Sequence, residues 1–288
     1  MSLEIINKEA VELLKKLIAT PSFSKEEEKT ATIIFDYFST KNIKLNRVLN
    51  NIYAFNKYYD ETKPNLLLCS HHDTVRPNAG YSLNPFSPKE ENGKLYGLGS
   101  NDAGGCLVSL LMAFLHYYEQ TDLKYNLIFV AAAEEEISGK NGIELALAQL
   151  PKIDLAIIGE PTGLNAAVAE KGLLVLDCES IGVAGHAARE EGENAIYKAL
   201  DDINWFRNFT FPKVSEFLGP VKMTVTGIEA ENKTHNSVPV QCKFMVDIRV
   251  TDVYTHMEIL NIIKKNTNCN IQPRSMRLKA SSIIAEHE

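Results

Sequence analysis

Leu66-Leu67-Leu68-Cys69-Ser70-His71-His72-Asp73-Thr74-Val75 is an apolar run that ends abruptly in two imidazoles and a carboxylate. Four apolar residues in succession read as a strand covered on both faces. Side chains on an extended segment alternate, so His71 and Asp73 face one way and His72 the other. An imidazole that binds a metal usually donates its second N–H to a carboxylate, and Asp73 stands where it can accept. Taken alone, the trio is better read as a polar strand end, because a metal site needs more than two ligands.

Outward from this strand, read over 65–71, the runs 126–133 (NLIFVAAA) and 154–159 (DLAIIG) are similarly apolar, and 43–56 is a further β-like run. Helical spacing marks 8–19 (Val11, Leu14, Ile18), 104–119 and 140–150. Another helix is expected to start at Ser24, with Ser24 and Glu27 as an S-x-x-E capping box. Strand and helix alternate, which predicts an α/β domain over 1–164, a mixed sheet flanked by helices. After Glu160-Pro161 the order changes: strand-like 166–183, helix 192–207, strands 221–230 and 238–250, helix 253–266, strand 269–278. That β-α-β-β-α-β order predicts an inserted α+β, ferredoxin-like domain over 165–276, with Trp205 and Phe206 in its core. Residues 277–288 would begin the return to the first domain.

The chain has 288 residues, 45% of them hydrophobic, enough for two cores. No apolar run approaches the roughly 18 residues of a membrane helix, and the N-terminus lacks the basic flank of a signal peptide, so a cytoplasmic location is expected. A formal charge of -7 argues against nucleic acid or an anionic membrane as partner and favours a small molecule. Cys69, Cys106, Cys178, Cys242 and Cys269 show neither a disulfide framework nor a C-x-x-C pattern and read as buried thiols.

Three more stretches carry chemistry. Gly97-Leu98-Gly99-Ser100-Asn101-Asp102-Ala103-Gly104-Gly105 precedes an apolar helix, so Asp102 is expected near its N-terminus. An N-cap explains the aspartate but not four glycines. Glu134-Glu135-Glu136 directly continues the NLIFV strand. Acidic runs are ordinarily solvated faces, yet carboxylates crowded at the edge of an apolar sheet repel one another and lose hydration unless a cation offsets both. DLAIIG ends in Glu160-Pro161. Four strands or junctions thus each deliver histidine or carboxylate at one end, where parallel α/β sheets place their sites.

Together, His71-x-Asp73, Gly97-x-Gly99-x-x-Asp102, the glutamate triplet and Gly159-Glu160-Pro161-Thr162 resemble the motifs of the M20 metallopeptidase family, in its acetylornithine deacetylase and succinyl-diaminopimelate desuccinylase branch. The likeness runs in order over nearly the whole chain. It implies a zinc-peptidase-like catalytic domain with an inserted lid and dimerisation domain. It implies two zinc ions, or cobalt in their place: His71 and Glu160 on one, Asp102 bridging, Glu136 on the second. Glu135 would be the general base and Asp73 would orient His71. In the second domain His186 would stabilise an oxyanion in the partner subunit of a homodimer, while Asn236, Arg249 and, more weakly, Lys171 would hold substrate. The implied activity is removal of an acyl group from an N-acyl amino acid, with acetyl- or succinyl-ornithine of arginine biosynthesis as the first reading. Succinyl-diaminopimelate or a small peptide is the alternative substrate, and an inactive binding protein that keeps the fold is the alternative of another class.

Members of that family carry one more histidine ligand, near the C-terminus of a longer chain. This sequence stops at Ser281-Ser282-Ile283-Ile284-Ala285-Glu286-His287-Glu288, and His287 on an unanchored tail is not expected to replace that ligand. The expectation is a shortened or partly represented chain of a normal enzyme, with the second metal site reduced to Asp102 and Glu136, an exposed sheet edge, and weak activity if this is the whole of it.

Overall fold

The computed structural model describes residues 3–189, 191–232 and 234–282. The chain divides into two compact units, Met1–Leu164 and Asn165–Glu288.

The first unit contains helices α1 (Leu3–Ile18) and α2 (Glu28–Ser39), strands β1 (Asn46–Val48), β2 (Asn51–Phe55) and β3 (Asn65–His71), a short hairpin of β4 (Lys89–Glu91) and β5 (Lys94–Tyr96), helix α3 (Cys106–Tyr117), strand β6 (Asn126–Ala132), helix α4 (Ile143–Leu147) and strand β7 (Leu155–Ile158). Among the described residues the main sheet has the order β1-β2-β6-β3-β7. β6, β3 and β7 run parallel, and β2 joins β6 antiparallel, so the sheet is mixed as expected. Every residue of β6 is buried. On one face Phe129 meets Phe38 of α2 and Phe114 of α3 at ring-centroid distances of 5.5 and 5.9 Å, a tilted cluster typical of aromatic cores. At the far edge, β7 exposes Leu155, Ile157 and Ile158.

Several expectations shift. The run 43–56 is two strands, because Leu49 at φ +50° opens a two-residue turn with Asn50 between the paired Val48 and Asn51. The 140–150 helix shrinks to the five residues of α4, confined between Gly142 at its start and Pro151 beyond its end. Val11 is exposed, and Ile6, Leu13, Leu14, Leu17 and Ile18 carry the buried face of α1. The capping box does not form: α2 is preceded by Glu27 without a side-chain cap, and Ser24 Oγ donates instead to Asp73 Oδ2 at 2.7 Å. Of the five thiols, Cys69, Cys178 and Cys242 are buried, while Cys106 and Cys269 are only partly so.

The second unit contains β8 (Gly172–Ile181), α5 (Ala195–Asn208), β9 (Lys222–Ala230), β10 (Gln241–Val250), α6 (His256–Asn266) and β11 (Asn270–Pro273). Its sheet is antiparallel in the order β11-β8-β10-β9, the split βαβ arrangement. Alternate residues Leu174, Leu176 and Cys178 of β8 and Phe244, Val246, Ile248 and Val250 of β10 meet Phe206 of α5 and Ile259, Leu260 and Ile263 of α6. Trp205 is half-buried and stacks on Phe209 at 4.6 Å. The strand expected over 166–183 starts only at Gly172, where the buried alternation begins. A capping box does exist here: Thr255 accepts from the N–H of Glu258, whose carboxylate accepts from the N–H of Thr255. Residues 278–281 run beside the start of β8, with the Leu173 N–H donating to Leu278 O at 2.9 Å. His287 and its neighbours 283–288 lie outside the described residues.

Candidate metal centre

Parallel pairing brings the carboxyl ends of β6, β3 and β7 side by side: His71 stands opposite Ala132 and Cys69 opposite Ile158. The residues that follow these ends therefore emerge together. His71 is 1% exposed. Its Nδ1 lies 3.0 Å from the main-chain oxygen of Asp73 and 3.4 Å from Asp73 Oδ1. The closer contact means that the peptide carbonyl, as much as the carboxylate, fixes the ring. With the Nδ1 proton held there, Nε2 faces the acids: Asp102 Oδ1 at 3.1 Å, Glu135 Oε2 at 3.7 Å and Glu160 Oε1 at 3.8 Å.

Asp102 lies in an irregular turn, Ser100–Gly105, ahead of α3. It caps nothing, since the residue before α3 is Gly105. The glycines have a steric reason: Gly99 sits at φ +72°, and a Cβ there would meet Thr74 Cγ2 at 2.6 Å. Glu134 to Glu136 follow the end of β6 in a turn, so strand alternation does not part them. Glu134, at φ +53°, folds back and accepts from Asn141 Nδ2. Gly139 lies against it, where a Cβ would meet the Glu134 carboxylate. Glu135 and Glu136 turn the other way. Two ligand groups result, each with atoms within 4.8 Å of one another: His71, Asp102 and Glu136, and His71, Glu135 and Glu160. The sequence reading separated Glu135 from the ligands; the geometry groups it with Glu160.

Asp73 is 0% exposed. Its Oδ1 accepts from the N–H of Glu135 at 3.0 Å, and its Oδ2 from the N–H of Glu136 at 3.1 Å and from Ser24. Burial pushes its carboxyl up, but the bonds from His71, Ser24 and Glu135 outweigh this and hold it below the ordinary carboxylate range. Burial likewise opposes the His71 imidazolium. The Asp73 hydrogen bond and the charges of Asp73, Glu135 and Glu160 win and hold His71 up at about 9. Glu160 is pushed up to about 7 by burial, against the pull of His71 and with the repulsion of Glu135, Asp102 and Glu136. Glu136 is raised by burial and then by Asp102. One imidazole and four crowded carboxylates, two of them raised by burial and mutual repulsion, form a donor set suited to a divalent cation.

Sequence reasoning missed a layer behind these ligands: Ser24, Glu27, Thr30 and Asn50. His72 faces this layer, with Nδ1 2.9 Å from Thr30 Oγ1 and Nε2 2.9 Å from Asn50 O. Burial lowers its pKa. In the neutral ring the carbonyl requires the proton on Nε2, leaving Nδ1 to accept from Thr30.

The second-domain candidates belong to the second unit. His186 is exposed and bridges to Ser237, and the neighbouring Ala187 N–H donates to Asn236 O at 3.0 Å, so the His186 and Asn236 loops adjoin. Arg249 is engaged by Asp247, at 2.9 Å from Nε and 3.2 Å from Nη2. Lys171 Nζ donates to Pro220 O at 2.8 Å.

A model of peptidase family M20/M25/M40 matches residues 67–272. The chain belongs to that family. Among curated relatives, the succinyl-diaminopimelate desuccinylase of Rickettsia bellii (strain OSU 85-389) is 27% identical over an alignment 263 residues long that covers 84% of this M20 chain and 66% of the relative. The chain thus spans just under two thirds of that relative's length. A tripeptidase from Staphylococcus aureus shares the fold at TM-score 0.71 and 17% identity, covering 96% of this chain and 78% of that one. A dinuclear metal binding M20 peptidase of Bacillus subtilis does so at TM-score 0.67 and 14% identity, covering 97% and 76%. The desuccinylase name matches the alternative drawn from the sequence, and the ornithine reading gains no support from these relatives. No helix of the described residues is long and apolar enough to cross a membrane.

Proposed function

We propose that this M20 chain carries the metal-binding centre of a hydrolase that cleaves the amide of an N-acyl amino acid, with N-succinyl-diaminopimelate as the preferred substrate class. The observation that carries the reading is His71 Nε2, which Asp102, Glu135 and Glu160 approach at 3.1, 3.7 and 3.8 Å from three separate parts of the chain. His71, Asp102, Glu136 and Glu160 would hold the ions, zinc or cobalt. Bound there, a divalent ion would ionise a water and polarise the scissile carbonyl. Glu135 would take the proton of the attacking water and return it to the nitrogen of the leaving amine as the C–N bond breaks. Asp73 would hold His71 in the tautomer that leaves Nε2 free for a metal.

In the second unit, Arg249 would exchange Asp247 for a substrate carboxylate, which its planar fork suits. Asn236 and Lys171 would assist, and His186 would reach the active site of a partner chain in a homodimer formed through residues 165–276, which would also act as lid. The desuccinylase relatives support succinyl-diaminopimelate over ornithine.

The test is hydrolysis of succinyl-diaminopimelate, succinyl-ornithine, acetyl-ornithine and a tripeptide by the purified chain, with zinc and with cobalt. Succinyl-diaminopimelate is expected to turn over fastest. Preference for an ornithine derivative or the peptide would overturn the substrate, and metal binding without hydrolysis of any of them would favour a binding protein.

A further inference from the structure

Glu27 is fully buried, and nothing in the proposed reaction uses it. Its Oε1 accepts from the N–H of Lys25 at 2.6 Å and from the N–H of Glu134 at 3.1 Å, and its Oε2 accepts from Asn50 Nδ2 at 2.9 Å. All three partners are donors, the surroundings of an acceptor-only carboxylate. Two buried carboxylates therefore share the turn after β6: Glu27 takes the N–H of Glu134, and Asp73 takes those of Glu135 and Glu136. Without them these main-chain donors would lie beside a buried strand end with no acceptor. Glu27 is itself anchored to β3, because Asn50, which donates to it, also accepts through its carbonyl from His72. The end of β3 and the turn after β6 are thus clamped through one side chain.

We propose that Glu27 is a positioning residue: acting through the main chain of Glu134, it fixes the turn that aims Glu135 and Glu136, so that the carboxylates converge on His71 before a cation arrives. The role rests on the hydrolase reading above and deepens it. Pre-organisation of this kind matters because outer-layer partners of metal ligands usually change affinity by about 10- to 100-fold when altered.

A through-space effect of the negative charge is the rival explanation, and two conservative variants separate the two. Glu27→Asp keeps the charge but draws the carboxylate back by about one C–C bond, ~1.5 Å, out of reach of the Glu134 N–H. Glu27→Gln keeps the length and an acceptor oxygen for the Glu134 N–H, but it removes the charge and sets an amide N–H2 against the Asn50 donor. Zinc affinity is measured by competition with a chelating dye, kcat and KM on the best substrate, and hydrogen exchange of the Glu134 to Glu136 amides in the metal-free protein.

The Asp variant is expected to bind zinc at least about tenfold more weakly, to lose kcat with KM nearly unchanged, and to exchange these amides faster, while the Gln variant, which keeps the acceptor for Glu134 and loses only the bond from Asn50, is expected to lose clearly less than the Asp variant and to keep the Glu134 to Glu136 amides protected. A Gln variant impaired as much as the Asp variant or more would overturn the proposal in favour of charge. Parental affinity and exchange in both variants would overturn it outright, and an Asp variant that does not fold would assign the carboxylate to the fold instead. The exchange arm needs neither metal nor turnover. If the parent protein binds no zinc, the hydrolase reading fails, while exchange still decides what Glu27 does.

Discussion

The main-chain N–H of Glu135 donates to Asp73 Oδ1 at 3.0 Å, so the residue expected to move a proton is held by the residue expected to orient the metal-binding histidine. Asp73 also lies 3.4 Å from His71 Nδ1 through the same oxygen. One buried carboxylate therefore sets the imidazole and the acidic turn together. Asp73→Asn keeps the shape but loses the charge, and it presents an amide N–H where one of these partners needs an acceptor. Zinc affinity measured by chelator competition is expected to fall about 10- to 100-fold, with turnover falling alongside.

Glu135 is grouped with Glu160 and His71, which leaves two roles to be told apart by substitution. As general base, its replacement in Glu135→Gln lowers kcat by about 10²- to 10⁴-fold with the metal content unchanged, read by atomic emission on the dialysed protein. Metal lost in step with activity would make Glu135 a ligand.

The raised groups set a pH dependence. Glu160 goes from 4.5 to about 7 and His71 from 6.5 to about 9 in the metal-free chain. Both folded values are raised, so the stability these groups contribute is full below their unfolded values and is lost as pH rises, through about 7 for Glu160 and about 9 for His71. A divalent ion binds the deprotonated forms and so displaces these protons. The gain in Tm on adding zinc to chelator-treated protein is expected to grow between pH 5 and 8, as about expected where proton competition weakens binding on the acid side. A gain independent of pH would show that neither group binds the ion.

Packing makes a separate prediction. Phe129 is fully buried between Phe38 and Phe114, and Phe129→Ala is expected to cost about 3–5 kcal/mol in urea unfolding. Ile158, 55% exposed on β7, should tolerate Ile158→Thr within about 0.5 kcal/mol. Similar losses at both positions would contradict the burial described.

The strands that carry the site were legible because burial on both faces leaves an unbroken apolar run: β3 and β6 begin at the expected residues and end within one of the expected ends. His71 and Glu160 were legible as places where such runs stop, and Asp102 as the acid of a glycine-rich stretch ahead of an apolar helix. Glu27 was not. It is the middle of Glu26-Glu27-Glu28, and Ser24-x-x-Glu27 has the local form of a capping box. Its partners Asn50 and Glu134, and Asp73 for Ser24, are distant in sequence, and local pattern carries no trace of them. The parting of Glu135 from Glu134 was hidden for a related reason: it depends on a left-handed Glu134 covered by Gly139, which is turn geometry and not strand alternation.

The parallel order β6-β3-β7 has a consequence for how the centre comes into being. Each of these pairings closes a long loop before any contact repays the lost chain entropy, so they form slowly compared with local structure. Zinc supplied during refolding should therefore leave the early rate untouched and act only as a late lock, lengthening the lifetime of the finished molecule.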